Sequence, residues 1–278
     1  MDDASMTLVP WSIPSLELHV AHGCNLACES CSHYSNHNHK GILDLATAEQ
    51  WMALWHERLA PRSFCLLGGE PTLNPALGDF VSLTRRYWPN ALLRLSSNGL
   101  LLHRHPALPA ILVECGVRLD LTIHHDGPAY TERVEPVLEL VRGWQATYGV
   151  HVQYKRVYGN WTRRYFGHGP TMEPYRDGDP RRSWENCPAR YAHQLVDGEI
   201  WKCAPLAYLP MQKRKYPLSR SWDLYLGYRP LLPSCTDDEL RVFFAREDES
   251  YCGMCPATRQ PLALASPLRR PTRPAREE

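Results

Sequence analysis

The ten cysteines of this 278-residue chain separate by spacing into groups suited to different chemistry. Cys24, Cys28 and Cys31 lie in His22-Gly23-Cys24-Asn25-Leu26-Ala27-Cys28-Glu29-Ser30-Cys31, a CxxxCxxC loop tight enough to aim three sulfurs at one centre. Such a triad can hold three irons of a 4Fe-4S cubane and leave the fourth open. It can also bind zinc, or be three unrelated thiols. Cys187, Cys203, Cys252 and Cys255, the last two in Cys-Gly-Met-Cys, form a second set whose four thiolates suit zinc or another cubane. Gly68-Gly69-Glu70-Pro71 offers a close backbone approach and an anion for a cationic ligand, although alone it is an ordinary turn. Cys65, in an apolar run, and Cys115, at a helix end, read as small buried hydrophobes. Cys235, in Leu232-Pro233-Ser234-Cys235-Thr236, is a loop thiol ahead of a helix that Thr236 can cap.

These residues need elements to hold them. Residues 15–20 alternate apolar and polar side chains and lead straight into the cysteine loop, so a strand delivers it. A helix capped by Thr47 and ended by Pro61 is expected next, carrying Trp51, Leu54, Trp55 and Leu59 at helical spacing. A strand over 63–67 then runs into the Gly-Gly-Glu-Pro turn, and a helix over 74–88 follows. Strands over 91–95, 117–123 and 150–157 alternate with further helical stretches; the first ends in Ser96-Ser97-Asn98-Gly99, the second in His124-His125-Asp126-Gly127-Pro128. Alternation of this kind implies an α/β fold with a parallel sheet and ligands at the carboxyl ends of its strands, where all these polar loops fall. Five strands are countable; a sixth is open. Farther on, residues 194–201 read as a hairpin with Asp197-Gly198 as its primed turn.

Composition narrows the classes. With 31 basic and 30 acidic residues the net charge is +1, which gives no support to nucleic acid as a partner. The amino-terminal residues lack a secretory signal, and no run approaches the roughly 18 apolar residues of a membrane span, so a cytoplasmic protein without a membrane partner is expected. In that setting ten cysteines point to metal or redox chemistry rather than disulfides.

The cysteine loop, with its Cys-Asn-Leu opening, resembles the signature of the radical S-adenosylmethionine (SAM) superfamily, and Gly68-Gly69-Glu70-Pro71 resembles that family's GGEP loop. Ser97-Asn98-Gly99 resembles its Thr-Asn-Gly, and His125-Asp126-Gly127-Pro128 its Leu-Asp-Gly-Pro. The distal order of Cys187, hairpin, Cys203 and CxxC resembles the twitch domain, a short relative of the SPASM domain; chain length and ligand pattern are similar to those of 2-deoxy-scyllo-inosamine dehydrogenases.

The resemblance implies a partial (β/α) barrel over 1–160, a substrate-facing connection over 161–185, a twitch-like unit over 186–258 and a disordered tail over 259–278. It implies two 4Fe-4S clusters, one on Cys24, Cys28 and Cys31 and one on Cys187, Cys203, Cys252 and Cys255, and a flavodoxin- or ferredoxin-type electron donor. SAM would be held by Gly68, Gly69, Glu70, Pro71, Ser97, Asn98 and Asp126. His124 and His125, which depart from the family's usual residues, are either proton-transfer groups or structural histidines, and Cys235 is either a hydrogen-atom donor or inert. The expected reaction removes hydrogen from a small polar substrate, a sugar, aminocyclitol or nucleoside, most simply oxidising a carbinol to a ketone. The alternatives are epimerisation through Cys235, peptide modification, or a non-catalytic zinc protein. Peptide modification is disfavoured because the first strand starts within about 15 residues, leaving no space for a leader-binding domain. Trp161, Arg163, Arg164, Tyr165, His168 and Arg176 are candidates for the substrate pocket.

Overall fold

The computed structural model describes residues 10–268. Seven strands form one sheet: β1 (Trp11–His19), β2 (Leu59–Leu67), β3 (Leu92–Ser97), β4 (Arg118–Ile123), β5 (Val152–Arg156), β6 (Ala192–Val196) and β7 (Glu199–Trp201). Their order is β5-β4-β3-β2-β1-β6-β7, with every neighbouring pair parallel except the β6-β7 hairpin. The helices are α1 (Leu45–Ala53), α2 (Leu77–Tyr87), α3 (Leu108–Glu114), α4 (Pro128–Tyr148), α5 (Pro180–Glu185), α6 (Ala204–Lys215), α7 (Asp223–Leu226) and α8 (Asp237–Ala245). This is the mostly parallel α/β sheet of a partial barrel. None of the helices is long and apolar enough to cross a membrane.

The two faces of the sheet differ in kind. Leu16, Leu18, Phe64, Leu66, Leu93, Leu95, Leu119 and Leu121 are buried in a single apolar cluster that also holds side chains of the helices. On the other face Glu17 registers with Cys65, Cys65 with Arg94, Ser96 with Asp120 and Thr122 with Lys155, a polar and ionised row. Asp120 is fully buried and takes hydrogen bonds from Arg118 (2.7 Å), Lys155 (2.6 Å) and Arg94 (3.4 Å). Burial pushes its carboxyl up, but the bonds from Arg118 and Lys155 outweigh that and hold it below the usual range.

Several expectations need correction. The cap of α1 is Asp44, whose carboxylate accepts the Thr47 N–H at 3.0 Å, and not Thr47 itself. The helix stops at Ala53, which leaves Leu54 46% exposed, and Pro61 lies inside β2 instead of ending α1. The strand tolerates the proline because pairing with β3 starts only at Ser63, so at Pro61 no N–H is required on that side. The sixth strand exists: β6 pairs with β1 from Ser15↔Ala192 to Leu18↔Leu195. The hairpin therefore extends the barrel sheet, and Ala204, Trp222 and Phe243 share the same core as β1. Its turn is as read, with Asp197 and Gly198 both left-handed at φ 54° and 76°.

The tail is ordered through residue 268. Leu262 N–H bonds the Trp161 carbonyl (2.9 Å), Ala27 N–H bonds the Pro267 carbonyl (2.8 Å), and Leu264 is buried against Leu26 and Cys28. Residues 259–268 thus cover the cysteine loop, an apolar contact hidden in the sequence by the surrounding prolines and arginines. The rest of the expected disordered tail, 269–278, lies outside the described residues.

Candidate active site between two cysteine sets

Strand β1 ends at His19, and Cys24, Cys28 and Cys31 follow at the carboxyl edge of the sheet. The second glycine-rich turn is interlocked with this loop: Gly69 N–H bonds the Ala21 carbonyl and Glu70 N–H the Gly23 carbonyl, each at 2.8 Å. A Cβ on Gly68 would stand 2.4 Å from the Ala21 oxygen, and one on Gly69 would stand 2.1 Å from the Gly23 oxygen, so both positions require glycine. Ser30, between the last two cysteines, adopts φ 58° and uses its hydroxyl to accept the N–H groups of Arg164 (2.6 Å) and Tyr165 (3.3 Å). The cysteine loop is thereby held by β2 on one side and by residues 164–165 on the other.

Glu70 is 1% exposed. Its Oε1 accepts the hydroxyls of Ser97 (2.6 Å) and Thr72 (2.5 Å) and the Thr72 N–H (3.1 Å), while Oε2 accepts the Asn98 N–H (2.9 Å). Burial pushes this carboxyl up, and the donors, Ser97 foremost, oppose it. Oε2 retains an acceptor position for a cationic ligand. Asn98 donates to Asn25 Oδ1 at 2.7 Å, so Glu70, Ser97 and Asn98 form one network that reaches the cysteine loop. Thr72 and Asn25 belong to it although the sequence reading passed over them. Pro71 starts the short turn after Glu70 and is buried.

The His-His-Asp loop divides. His124 Nδ1 lies 3.4 Å from Cys28 Sγ, and burial brings the imidazole down to about 4. His125 Nδ1 accepts the Gly127 N–H at 2.8 Å, which makes it a local turn residue, and Asp126 is exposed just ahead of α4.

All three proximal thiols are pushed up, chiefly by burial and, for Cys28, also by Cys31 and Cys24. Three soft donors thus share one desolvated space, a set that fits an iron-sulfur cluster and would be held as thiolates by it. In the distal set burial raises Cys203, with Cys255, Cys187 and Cys252 adding to it, and burial takes Cys255 up to about 12 with Cys187 and Cys252 as its thiol neighbours. Among the described residues no group of three His, Cys, Asp or Glu side chains is closed on a single metal ion. A cavity of about 440 Å³ has Ser32, His33, Thr122 and Lys155 on its barrel wall. The four distal cysteines, with Trp184 and Met254, line the same cavity.

Cys235 lies elsewhere. Its sulfur meets Arg58, which precedes β2 and so stands at the amino edge of the sheet. The nine residues of β2, at about 3.3 Å each, put about 30 Å between that edge and the cysteine loop. A hydrogen-donor role for Cys235 is therefore withdrawn. Of the candidate pocket residues, Trp161 and Arg164 line cavities. Tyr165 and His168 pack on His37, Arg163 pairs with Glu29 (2.9 Å), and Arg176 pairs with Glu173 (3.1 Å) at the surface.

A family model described as Radical SAM superfamily matches residues 18–172. Among solved structures, BtrN in complex with AdoMet and 2-DOIA is similar at 17% identity and TM-score 0.51, over 88% of this chain and 94% of that one. Native anSMEcpe with bound AdoMet and Cp18Cys peptide is similar at 20% identity and TM-score 0.40 over 52% of this chain; the chain spans only 42% of its length. SuiB of Streptococcus suis bound to S-adenosylmethionine is 13% identical with TM-score 0.34, over 70% of this chain and 61% of that one. No curated protein sequence matches the chain. At these identities the likeness concerns the fold alone.

Proposed function

Because the chain belongs to the radical SAM superfamily, its family match spanning residues 18–172, we propose that it removes a hydrogen atom from a small polar substrate held between two iron-sulfur sites and oxidises a carbinol to a ketone. The observation that carries this reading is the single cavity whose walls hold Ser32 and His33, next to Cys31, and all four of Cys187, Cys203, Cys252 and Cys255. When bound, the proximal cluster would supply one electron for cleaving SAM to methionine and a 5′-deoxyadenosyl radical, and the distal cluster would supply a one-electron acceptor.

The chain's own residues position the reactants. Cys24, Cys28 and Cys31 would hold the proximal cluster. Glu70 presents carboxylate Oε2 to a cationic group at the sheet edge, fixed there by Ser97, Thr72 and Asn98. Trp184 gives an apolar face to this cavity beside the hydroxyls of Ser32 and Thr122 and the cationic Lys155 and Arg164, a combination suited to a sugar, aminocyclitol or nucleoside, and Trp161 lines the neighbouring cavity. Packing of Leu264 and Leu26 on Cys28 keeps water from that thiol. The fold shared with BtrN, a protein that binds AdoMet and 2-DOIA, agrees with this class of substrate. A flavodoxin- or ferredoxin-type protein is proposed as the electron donor.

Anaerobic reconstitution tests the reading. About eight irons with matching sulfide are expected, falling to about four when Cys252 and Cys255 are both replaced by Ala. Reductive cleavage of SAM should survive that double replacement and be lost with Cys28→Ala. Bound zinc without SAM cleavage would sink the proposal, and four irons in the unmodified chain would remove its distal cluster.

A further inference from the structure

Three cavities meet at Arg164. One, of about 440 Å³, reaches the four distal cysteines; a second, of about 910 Å³, opens along Glu17 and Arg94 on the ionised face of the sheet; a third, of about 280 Å³, lies against Trp161. Arg164 and Pro188 are the two residues that line all three. The backbone of Arg164 is fixed by Ser30, inside the cysteine loop, at 2.6 Å. The residue lines the same cavity as Cys187, Cys203, Cys252 and Cys255. The guanidinium is thus held between the two cysteine sets by the same loop that carries Cys28 and Cys31.

The neighbouring cations are occupied. Asp120 takes Arg94 and Lys155, Glu249 takes Lys202 at 2.9 Å, Asn160 takes Arg259 at 2.9 Å, and Arg190 bonds the Glu185 carbonyl and lies over Trp184. Arg156 is exposed to water. Arg164 alone among these is half-buried with no hydrogen bond or ion pair to its guanidinium among the described residues. A half-buried guanidinium that lines three cavities and has no partner among the described residues for its five donors can take an anion, and its planar fork matches a carboxylate or phosphate.

We propose that Arg164 anchors an oxyanion of the substrate, a carboxylate or a phosphate, and so fixes which carbon lies between the two cysteine sets. This rests on the reading of that space as the substrate site. It adds that the sugar, cyclitol or nucleoside carries an acidic group.

The reconstituted full-length chain is titrated with inorganic phosphate and, separately, with ¹³C-acetate, and binding is read from the NMR line widths of the two anions. At least one anion should bind. Arg164→Gln should weaken it by about tenfold or more, Arg164→Lys should retain part of the affinity as a point charge without the fork, and Arg163→Gln should change nothing because that guanidinium pairs with Glu29 outside the cavities. Preference for phosphate marks a phosphorylated substrate, and preference for acetate marks a carboxylate. Absence of anion binding, or equal binding by Arg164→Gln, overturns the proposal. So does an Arg164→Gln chain that loses distal iron while binding anions normally, because the cation would then serve the thiolates. Iron content and SAM cleavage on the same samples separate the two readings: anion binding through Arg164 in a chain that cleaves no SAM defeats only the enzymatic one.

Discussion

The amide of Asn98 donates to Oδ1 of Asn25 at 2.7 Å, joining the loop after β3 to the residue that follows the first cysteine. The same Asn98 gives its N–H to Glu70 and accepts the Leu100 N–H at 3.0 Å. One residue, through its backbone N–H and its amide, thus ties the carboxylate, the third strand and the cysteine loop into a unit.

Asn98→Ala keeps the N–H bond to Glu70 but leaves Asn25 and the Leu100 N–H without their partner. We expect a loss of about 1–3 kcal/mol in urea unfolding. A faster release of iron from the reconstituted protein should accompany it, because the effect passes through the loop that carries Cys24. Unchanged iron retention would show that Asn98 supports β3 only.

Gly69 and Gly143 should respond in opposite directions to alanine. At Gly69 the new methyl would overlap the Gly23 carbonyl, so the interlocked turns must part, at about 2 kcal/mol or more. Gly143, inside α4, has no heavy atom within 4 Å of the added carbon, and alanine there should stabilise by about 0.5–1 kcal/mol through the unfolded chain. Urea midpoints of the two variants decide both.

Acid should weaken the fold through histidines that are buried neutral. Burial brings His37 to about 2 and His193 to about 4, against an ordinary value near 6.5. As pH falls below about 6.5 the unfolded chain gains protons that the folded one refuses, so the stabilisation is full above that value and shrinks below it. Each ring contributes up to about 1.4 kcal/mol per pH unit. Urea unfolding between pH 7.5 and 5 measures the slope, and His193→Gln should flatten it. An equal slope in that variant would place the titration elsewhere.

Asp120→Asn leaves Arg94, Arg118 and Lys155 without their common anion. Because those three remain partly exposed, at 19%, 22% and 37%, the expected loss is near the low end for a broken buried pair, about 3 kcal/mol. Replacement of Arg94 by Met should cost less, since two cations still satisfy the carboxylate. Equal losses would mean that the three cations act as a unit.

Legibility in the sequence followed the physics of each element. The carboxyl halves of β1 to β4 were readable because alternation and the glycine-rich turns mark them, and those halves carry the site. The amino end of β2 was hidden by Pro61, harmless there because no neighbour needs its N–H. The cap at Asp44 lay just outside the apolar period, one helical turn ahead of Thr47. Pairing of β6 with β1 is a contact across more than 170 residues and leaves no local trace. The four distal cysteines were found by spacing alone, and the structure sets them on one cavity with the barrel wall. Cys235 was left open between a hydrogen donor and an inert thiol because a loop thiol looks the same at either edge of a sheet; only the place of Arg58 distinguishes them. The ionic row of Glu17, Arg94, Asp120 and Lys155 was visible as polar residues in strands, yet its convergence depends on register, which spacing does not supply.

Strand β1 is made first and ends in the interior of the sheet, between β2 and β6. On the ribosome its second edge stays bare until residues 192–196 emerge, long after the cysteine loop has left the tunnel. A chain cut short before that point would carry the complete family signature and still expose an open, apolar strand edge, an invitation to pair with its neighbours. Assembly of the radical-generating end is thus coupled to completion of the distal half, so a truncated barrel should aggregate before it could be loaded with iron.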